Sequence, residues 1–246
     1  MTPASWSLPA GARPVRLDRT DFPPGLRVLV LAPHPDDFDE TGVTLRRLQE
    51  RDAKITLLVC SSSANGVEDA FCRPRTEEAK AALREEEQRA SLRFFGLDEG
   101  RAEFLRLATG PGGYLLDAPG SFGVLAEKAA ALRPALLFLP HGRDSNPDHR
   151  LVHAWWLRLQ AVLPGRPPAL LFRDPKTIAL REDACFPFDE AAADWKRRLL
   201  LCHHSQQARN LRTRGYGFDE RILGINRDSA LRLALREPYA ELFEIG

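Results

Sequence analysis

The sequence carries almost no charge imbalance: 35 Lys and Arg stand against 34 Asp and Glu, a net +1, so no overall field directs it to nucleic acid or an anionic membrane surface. Cysteine is scarce as well. The four present, Cys60, Cys72, Cys185 and Cys202, form no C-x-x-C pair, which excludes a zinc ribbon, a thioredoxin-like redox centre and a small disulfide-stapled scaffold. No apolar run approaches the roughly 18 residues that span a bilayer, and the opening MTPASWSLPAGARPVRLDRT lacks the apolar stretch of a signal peptide. The expectation is a cytoplasmic protein with no membrane span and no nucleic-acid partner. What is present is ample material for a core: 246 residues, 43% of them hydrophobic. They are read as a single domain over 1–246 with an irregular leader at 1–24.

Leu26 to Ala32 is a Leu- and Val-rich run between Pro24-Gly25 and Pro33, and it predicts a buried strand. A helix is expected over 41–51, a second buried strand over 55–60, a long helix over 76–95 with Thr76 as its N-cap, and a weaker strand near 102–107. A further helix over 121–132 feeds a third clear strand at 135–139. The proline-rich stretch 164–190 reads as an irregular sheet edge. Continuous apolar strands alternating with helices predict an α/β fold: a Rossmann-like open, mostly parallel sheet with helices on both faces.

Two of these strands run straight into polar loops. The first ends in Pro33-His34-Pro35-Asp36-Asp37, and the strand at 135–139 ends in Pro140-His141-Gly142-Arg143-Asp144-Ser145-Asn146-Pro147-Asp148-His149-Arg150. The carboxyl ends of parallel strands are where open α/β sheets bind ligands, so if the two strands are neighbours the loops face one crevice. His nitrogen and Asp oxygen suit a divalent metal, and three protein ligands leave a coordination position open. His34 and Asp37, three apart, fit one ion from a tight turn, with His149 as third ligand from the other loop; Asp36 is then free to act as general base. Each loop also has a purely structural reading. Asp36 or Asp37 would cap the next helix, and Asn146 with Pro147 would start a helix on which His149 is incidental. His149 and His153, four apart, are a rival ligand pair, although the apolar run around His153 favours packing for it.

These segments, together with Lys196, Cys202-His203-His204-Ser205-Gln206, Arg84 with Glu87, and the ending Tyr239-Ala240-Glu241-Leu242-Phe243, resemble the PIG-L/LmbE-like zinc-dependent de-N-acetylases over about residues 26–245. The resemblance implies one Zn2+ held by residues matching His34, Asp37 and His149, Asp36 as general base, and Asp148 tuning the histidine site from behind. It implies removal of acetyl from an N-acetylglucosamine-type amide, so the expected partner is a small sugar-like substrate.

Two departures stand out. Phe38 follows the H-P-D-D run where the family usually carries Glu, with acids only at Asp39 and Glu40. Asn146 stands where many members have a histidine that polarises the carbonyl or protonates the leaving amine; His141 and His203 are the candidates to replace it. Arg143, Asp144, Asn146, Arg150 and the polar loop 61–75 are first choices for holding hydroxyls or an anionic aglycone. Two other readings stay open. Two histidines and one carboxylate also make the facial triad of Fe2+ oxygenases, and a non-catalytic sugar-binding relative would keep the site without the chemistry. Assembly into a homo-oligomer is open.

Overall fold

A computed structural model of the chain describes Leu8 and residues 13–246; the rest of the leader, 1–7 and 9–12, lies outside the described residues. Eight strands form one sheet: β1 (Val15–Arg16), β2 (Arg27–Ala32), β3 (Lys54–Val59), β4 (Ala102–Phe104), β5 (Leu136–Pro140), β6 (Ala169–Phe172), β7 (Ala184–Phe188) and β8 (Tyr239–Ile245). Their order is β1-β7-β8-β6-β5-β2-β3-β4. All pairs are parallel except those of β8, which runs antiparallel to both β6 and β7. The mostly parallel α/β sheet expected from the apolar runs is therefore what the chain forms.

Both faces of β2 and β5 are covered, which is why neither strand alternates apolar with polar residues. Val28, Val30, Ala32, Leu136 and Phe138 join the core beneath α1 (Gly42–Gln49), α2 (Glu77–Phe95), α5 (Glu190–Leu200) and α7 (Phe218–Arg232). Leu29, Leu31, Leu137 and Leu139 face the opposite core, filled by α3 (Ser121–Leu132) and by Val152, Trp155 and Leu159 of α4 (Pro147–Leu159). The remaining helix, α6 (His204–Arg214), carries few buried apolar residues and closes one side of the strand ends.

The proline-rich stretch is more regular than its sequence suggests: it supplies β6, well inside the sheet, and β7. Pro187, which has no N–H to give, is tolerated because β1 pairs only with Ala184 and Cys185 and leaves that edge of β7 free beyond them. Part of the expected irregular leader is likewise ordered, since Val15–Arg16 forms the edge strand β1.

After β2 the chain moves out to β3 and β4, then returns to β5 on the other side of β2. Strand order thus reverses between β2 and β5, which pair directly through Val28–Leu136, Leu29–Leu137 and Val30–Phe138. The two polar loops leave the sheet side by side at this switch point.

Candidate metal centre and its cleft

The loop after β2 is bent back on itself by its own side chains. Asp37 Oδ2 accepts the His34 backbone N–H at 2.7 Å, and Asp36 takes a φ of 118°, a region that non-glycine residues rarely occupy. That strained backbone is held from α2: the Asp36 N–H donates to Gln88 Oε1 at 2.9 Å, and the buried Arg84 guanidinium lies 3.0 Å from Asp36 Oδ2 while also donating to the Pro35 carbonyl. Behind it, Glu241 accepts the first N–H groups of α1, from Val43 at 3.0 Å and Thr44 at 2.8 Å, and pairs with the buried Lys196 at 2.7 Å. Lys196 in turn donates to the Glu40 carbonyl at 2.5 Å, so the segment between the loop and α1 is pinned from below. A Cβ at Gly42 would come within 2.6 Å of the buried Leu199 Cδ2, so a larger residue there makes Leu199 shift.

The loop after β5 starts α4, as the capping reading predicts: Asn146 Oδ1 accepts the Asp148 N–H at 3.0 Å, with Pro147 in the first turn. The same turn delivers His149 inward. Nδ1 of His149 lies 3.2 Å from Asp144 Oδ2, and Nε2 of His34 lies 2.9 Å from Asp148 Oδ2. A carboxylate on one ring nitrogen fixes the tautomer and leaves the other nitrogen's lone pair free. The free nitrogens converge on Asp37: His34 Nδ1 is 3.4 Å from Oδ2 and His149 Nε2 is 3.4 Å from Oδ1. His149 Nε2 is fully buried without a hydrogen-bond partner.

His34, Asp37 and His149 each offer a ligand atom, all within 4.8 Å of one another. Two imidazoles and a carboxylate, each histidine backed by a second carboxylate and one with an orphaned lone pair, are a donor set that fits a divalent ion of the zinc type. Without an ion the site takes up protons instead. Burial disfavours the charged form of His149, but Asp37 and Asp144 outweigh it and push its pKa up to about 10; burial likewise opposes the charged form of His34, and Asp37 and Asp148 raise it all the same. Burial would raise Asp37, yet His149 and His34 hold it well below the usual carboxylate range. Asp144, His149 and Asp174 form a second such group that shares His149, with Asp144 on its Nδ1 side.

A cleft of about 250 Å³ opens over this cluster, and His34, Asp36, Asp37, Asn146 and Asp148 all border it. Several residues expected at the site lie elsewhere. Asp144, 1% exposed, serves His149 and the Asn146 N–H rather than the cleft. Arg143 is exposed outside the cleft, and Arg150 is spent on the carbonyls of Asp144 and Ser145 at 2.8 and 3.0 Å. The two candidates for replacing a histidine at Asn146 do not reach it either. His141 is used on both nitrogens, by Glu244 at 3.0 Å and by the Arg143 N–H at 2.9 Å. His203 is wholly buried with Nε2 at 2.6 Å from Asp39. Asp39 also receives Gln88 at 3.2 Å, so His203 stands behind the residue that anchors Asp36 and outside the cleft. His153 packs on Trp156, ring centroids 5.3 Å apart, and is absent from both ligand groups among the described residues.

Other cleft residues carry no local sequence signal. Glu40, whose carboxyl is held well above its usual range by burial and by Asp174, Asp37 and Asp36, comes from the segment before α1. Asp174 and Lys176 follow β6, and Arg209, Arg214 and Arg221 lie on α6 and α7. Of the remaining cleft residues, Arg84, Ser145, Pro147 and Gln206 fall in segments that carry the family resemblance, and Ser63 and Asn65 in the polar loop 61–75.

The chain was compared with known proteins at the level of sequence and of fold. Comparison with curated proteins gives no significant match. Among solved structures, the N,N'-diacetylchitobiose deacetylase of Pyrococcus horikoshii is similar with a TM-score of 0.72 at 18% identity, covering 89% of this chain and 83% of that one. The 4-carboxy-2-hydroxymuconate hydratase of Pseudomonas putida has a TM-score of 0.68 at 19% identity, covering 89% and 95%. The conserved protein TT1542 of Thermus thermophilus has a TM-score of 0.61 at 26% identity, covering 89% and 94%. At such identities the first two establish a shared fold and no more. The family profile described as PIG-L, GlcNAc-PI de-N-acetylase, matches residues 29–159, more than half of the 246 and inclusive of both strand-end loops. The chain belongs to the PIG-L family.

Proposed function

We propose that this protein is a metal-dependent amidohydrolase that removes an acetyl group from an N-acetylglucosamine-type substrate. The observation that carries the proposal is the pair of carboxylate-backed histidines, His34 and His149, whose free nitrogens flank Asp37 beside the separately anchored Asp36. Zinc suits these donors, with His34, Asp37 and His149 as ligands. The ion supplies Lewis-acid activation of water and of the amide carbonyl. Asp36 takes the proton of the attacking water and passes it to the leaving nitrogen, so that the C–N bond breaks to acetate and a free amine. Arg84 and Gln88 act on Asp36 by fixing its position, since the strained backbone would otherwise relax. With His141 and His203 outside the cleft, Asp36 serves both proton transfers.

The membership of a de-N-acetylase family and the similarity to a diacetylchitobiose deacetylase support this reading. The test is amine release from N-acetylglucosaminides by zinc-loaded, iron-loaded and chelator-treated protein. Release with zinc and none after chelation is expected. Oxygen consumption with Fe2+ would instead favour the oxygenase reading, and binding of the glycoside without release under any metal would make the protein a non-catalytic relative.

A further inference from the structure

The strained turn at Asp36 is held by a buried side-chain network that does not border the cleft. The Asp36 N–H donates to Gln88 Oε1 at 2.9 Å, and the Asp36 carbonyl accepts the Asp39 N–H at 3.0 Å. Both backbone polar groups of Asp36 are therefore tied. Asp39, one of the acids that follow the H-P-D-D run, gathers the rest: Oδ2 receives His203 Nε2 at 2.6 Å and Gln88 Nε2 at 3.2 Å, and Oδ1 accepts from the Ser91 hydroxyl. Asp39, Gln88, Ser91 and His203 are all fully buried, and none lines the cleft. An amide side chain can face two ways, accepting at its oxygen and donating at its nitrogen. Only one way satisfies both partners here. The Asp36 N–H can only donate and a carboxylate can only accept, so Asp39 draws the Gln88 nitrogen and thereby turns Gln88 Oε1 onto Asp36. Asp39 is aimed in turn by His203, whose Nδ1 is buried without a partner, so the hydrogen bond of that ring is the one to Asp39. The start of α6 beside His203 is locked to α2, because Ser205 donates to Glu87 from its N–H at 2.6 Å and from its hydroxyl at 2.7 Å.

We propose that His203 and Asp39 are positioning residues for Asp36: they set the orientation of the Gln88 amide, which holds the strained turn in the form that aims the Asp36 carboxylate at the reacting water. This rests on Asp36 being the general base. The histidine that the sequence placed beside the substrate works instead three hydrogen bonds behind that base, through Asp39 and Gln88. A network that merely satisfied buried groups would cost stability when cut and leave the chemistry of the folded protein intact. A positioning network costs turnover, because a small misplacement of a reacting group slows the step without weakening substrate binding.

The test is a pair of amides at position 203. Glutamine puts its side-chain nitrogen where histidine has Nε2, whereas asparagine, one carbon shorter, stops near Nδ1 and does not reach Asp39. Zinc-loaded wild type, His203→Gln, His203→Asn, Gln88→Met and the Gln88→Met/His203→Asn double variant are assayed for amine release from an N-acetylglucosaminide, with zinc content measured on each. His203→Asn is expected to lose about ten- to a hundredfold in kcat with KM and zinc content unchanged. His203→Gln stays within about threefold of wild type. The double variant loses no more than Gln88→Met alone, since His203 acts through Gln88. Full kcat in His203→Asn, losses that multiply in the double variant, or a loss explained by raised KM or missing zinc overturns the proposal. Should His203→Asn not fold, Ser91→Ala, which removes the donor to the other Asp39 oxygen, replaces it in the same cycle with the same criteria. If wild type releases no amine, the deacetylase reading fails separately, and hydrogen exchange of the Asp36 amide, followed by NMR on the zinc-loaded proteins, decides the network. Faster exchange in His203→Asn or its replacement, with wild-type exchange in His203→Gln, supports it; exchange unchanged in every variant refutes it.

Discussion

The two ends of the cleft are built on opposite principles. At the sheet end the charged groups are matched: Asp148 on His34, Asp144 on His149, Arg84 on Asp36, Glu241 on Lys196, nearly all of it buried. At the helix end Arg209, Arg214 and Arg221 face solvent or the cleft unmatched. A network satisfied within the protein fixes geometry before substrate arrives, which is what bond-making needs.

The largest effects should come from the sheet end. His34→Ala and His149→Ala are expected to lose metal and reduce amine release to background, measured by metal analysis and amine assay on the same sample. Asp36→Asn should keep the metal and lose about 10²–10⁴-fold in kcat, the range typical of a general base. Asp144→Asn, which touches no substrate, should weaken metal affinity by about 10–100-fold through His149, read by competition with a chelator. Had Asp144 been a substrate group instead, KM would rise while metal affinity stayed put.

The smallest effect is in pH dependence, and its sign distinguishes protons from metal as the occupant of the site. His149 is raised to about 10 in the metal-free protein and His34 is raised as well, so their contribution to metal-free stability is fully present below the unfolded value near 6.5. It is lost as pH rises through the folded values. A bound metal displaces those protons, so its stabilisation grows with pH. The Tm difference between loaded and metal-free protein should widen from pH 6 to pH 8, and calorimetry in buffers of different ionisation enthalpy should detect proton release on loading. A Tm gap that narrows with pH would contradict this assignment.

The same division explains what could be read from the sequence. β2 and β5 were legible because a strand buried on both faces is a continuous apolar run, and the chemistry follows within a few residues of each. Their being neighbours is a matter of topology, and the sequence alone could state it only as a condition. Asp144 looked like a substrate residue because an exposed loop acid and a carboxylate turned inward onto a histidine have the same local sequence. His141 and His203 failed for a related reason: both sit in segments that reach the site, yet Glu244 and Asp39, distant in sequence, claim their rings. Proline content hid β6 and β7, whose pairing depends on β8 arriving from the end of the chain. The arginine wall was invisible because α6 and α7 contribute to it one residue per turn or fewer, with no spacing that distinguishes them from surface arginines.

The central claim is that the two strand-end loops make one metal centre from which Asp36 stands apart. Metal content per chain, measured in parallel on wild type, Asp36→Asn and His149→Ala, tests it most directly. The account predicts about one ion in the first two and none in the third, with full activity only in wild type. Equal metal in all three proteins, or full activity in Asp36→Asn, would contradict it.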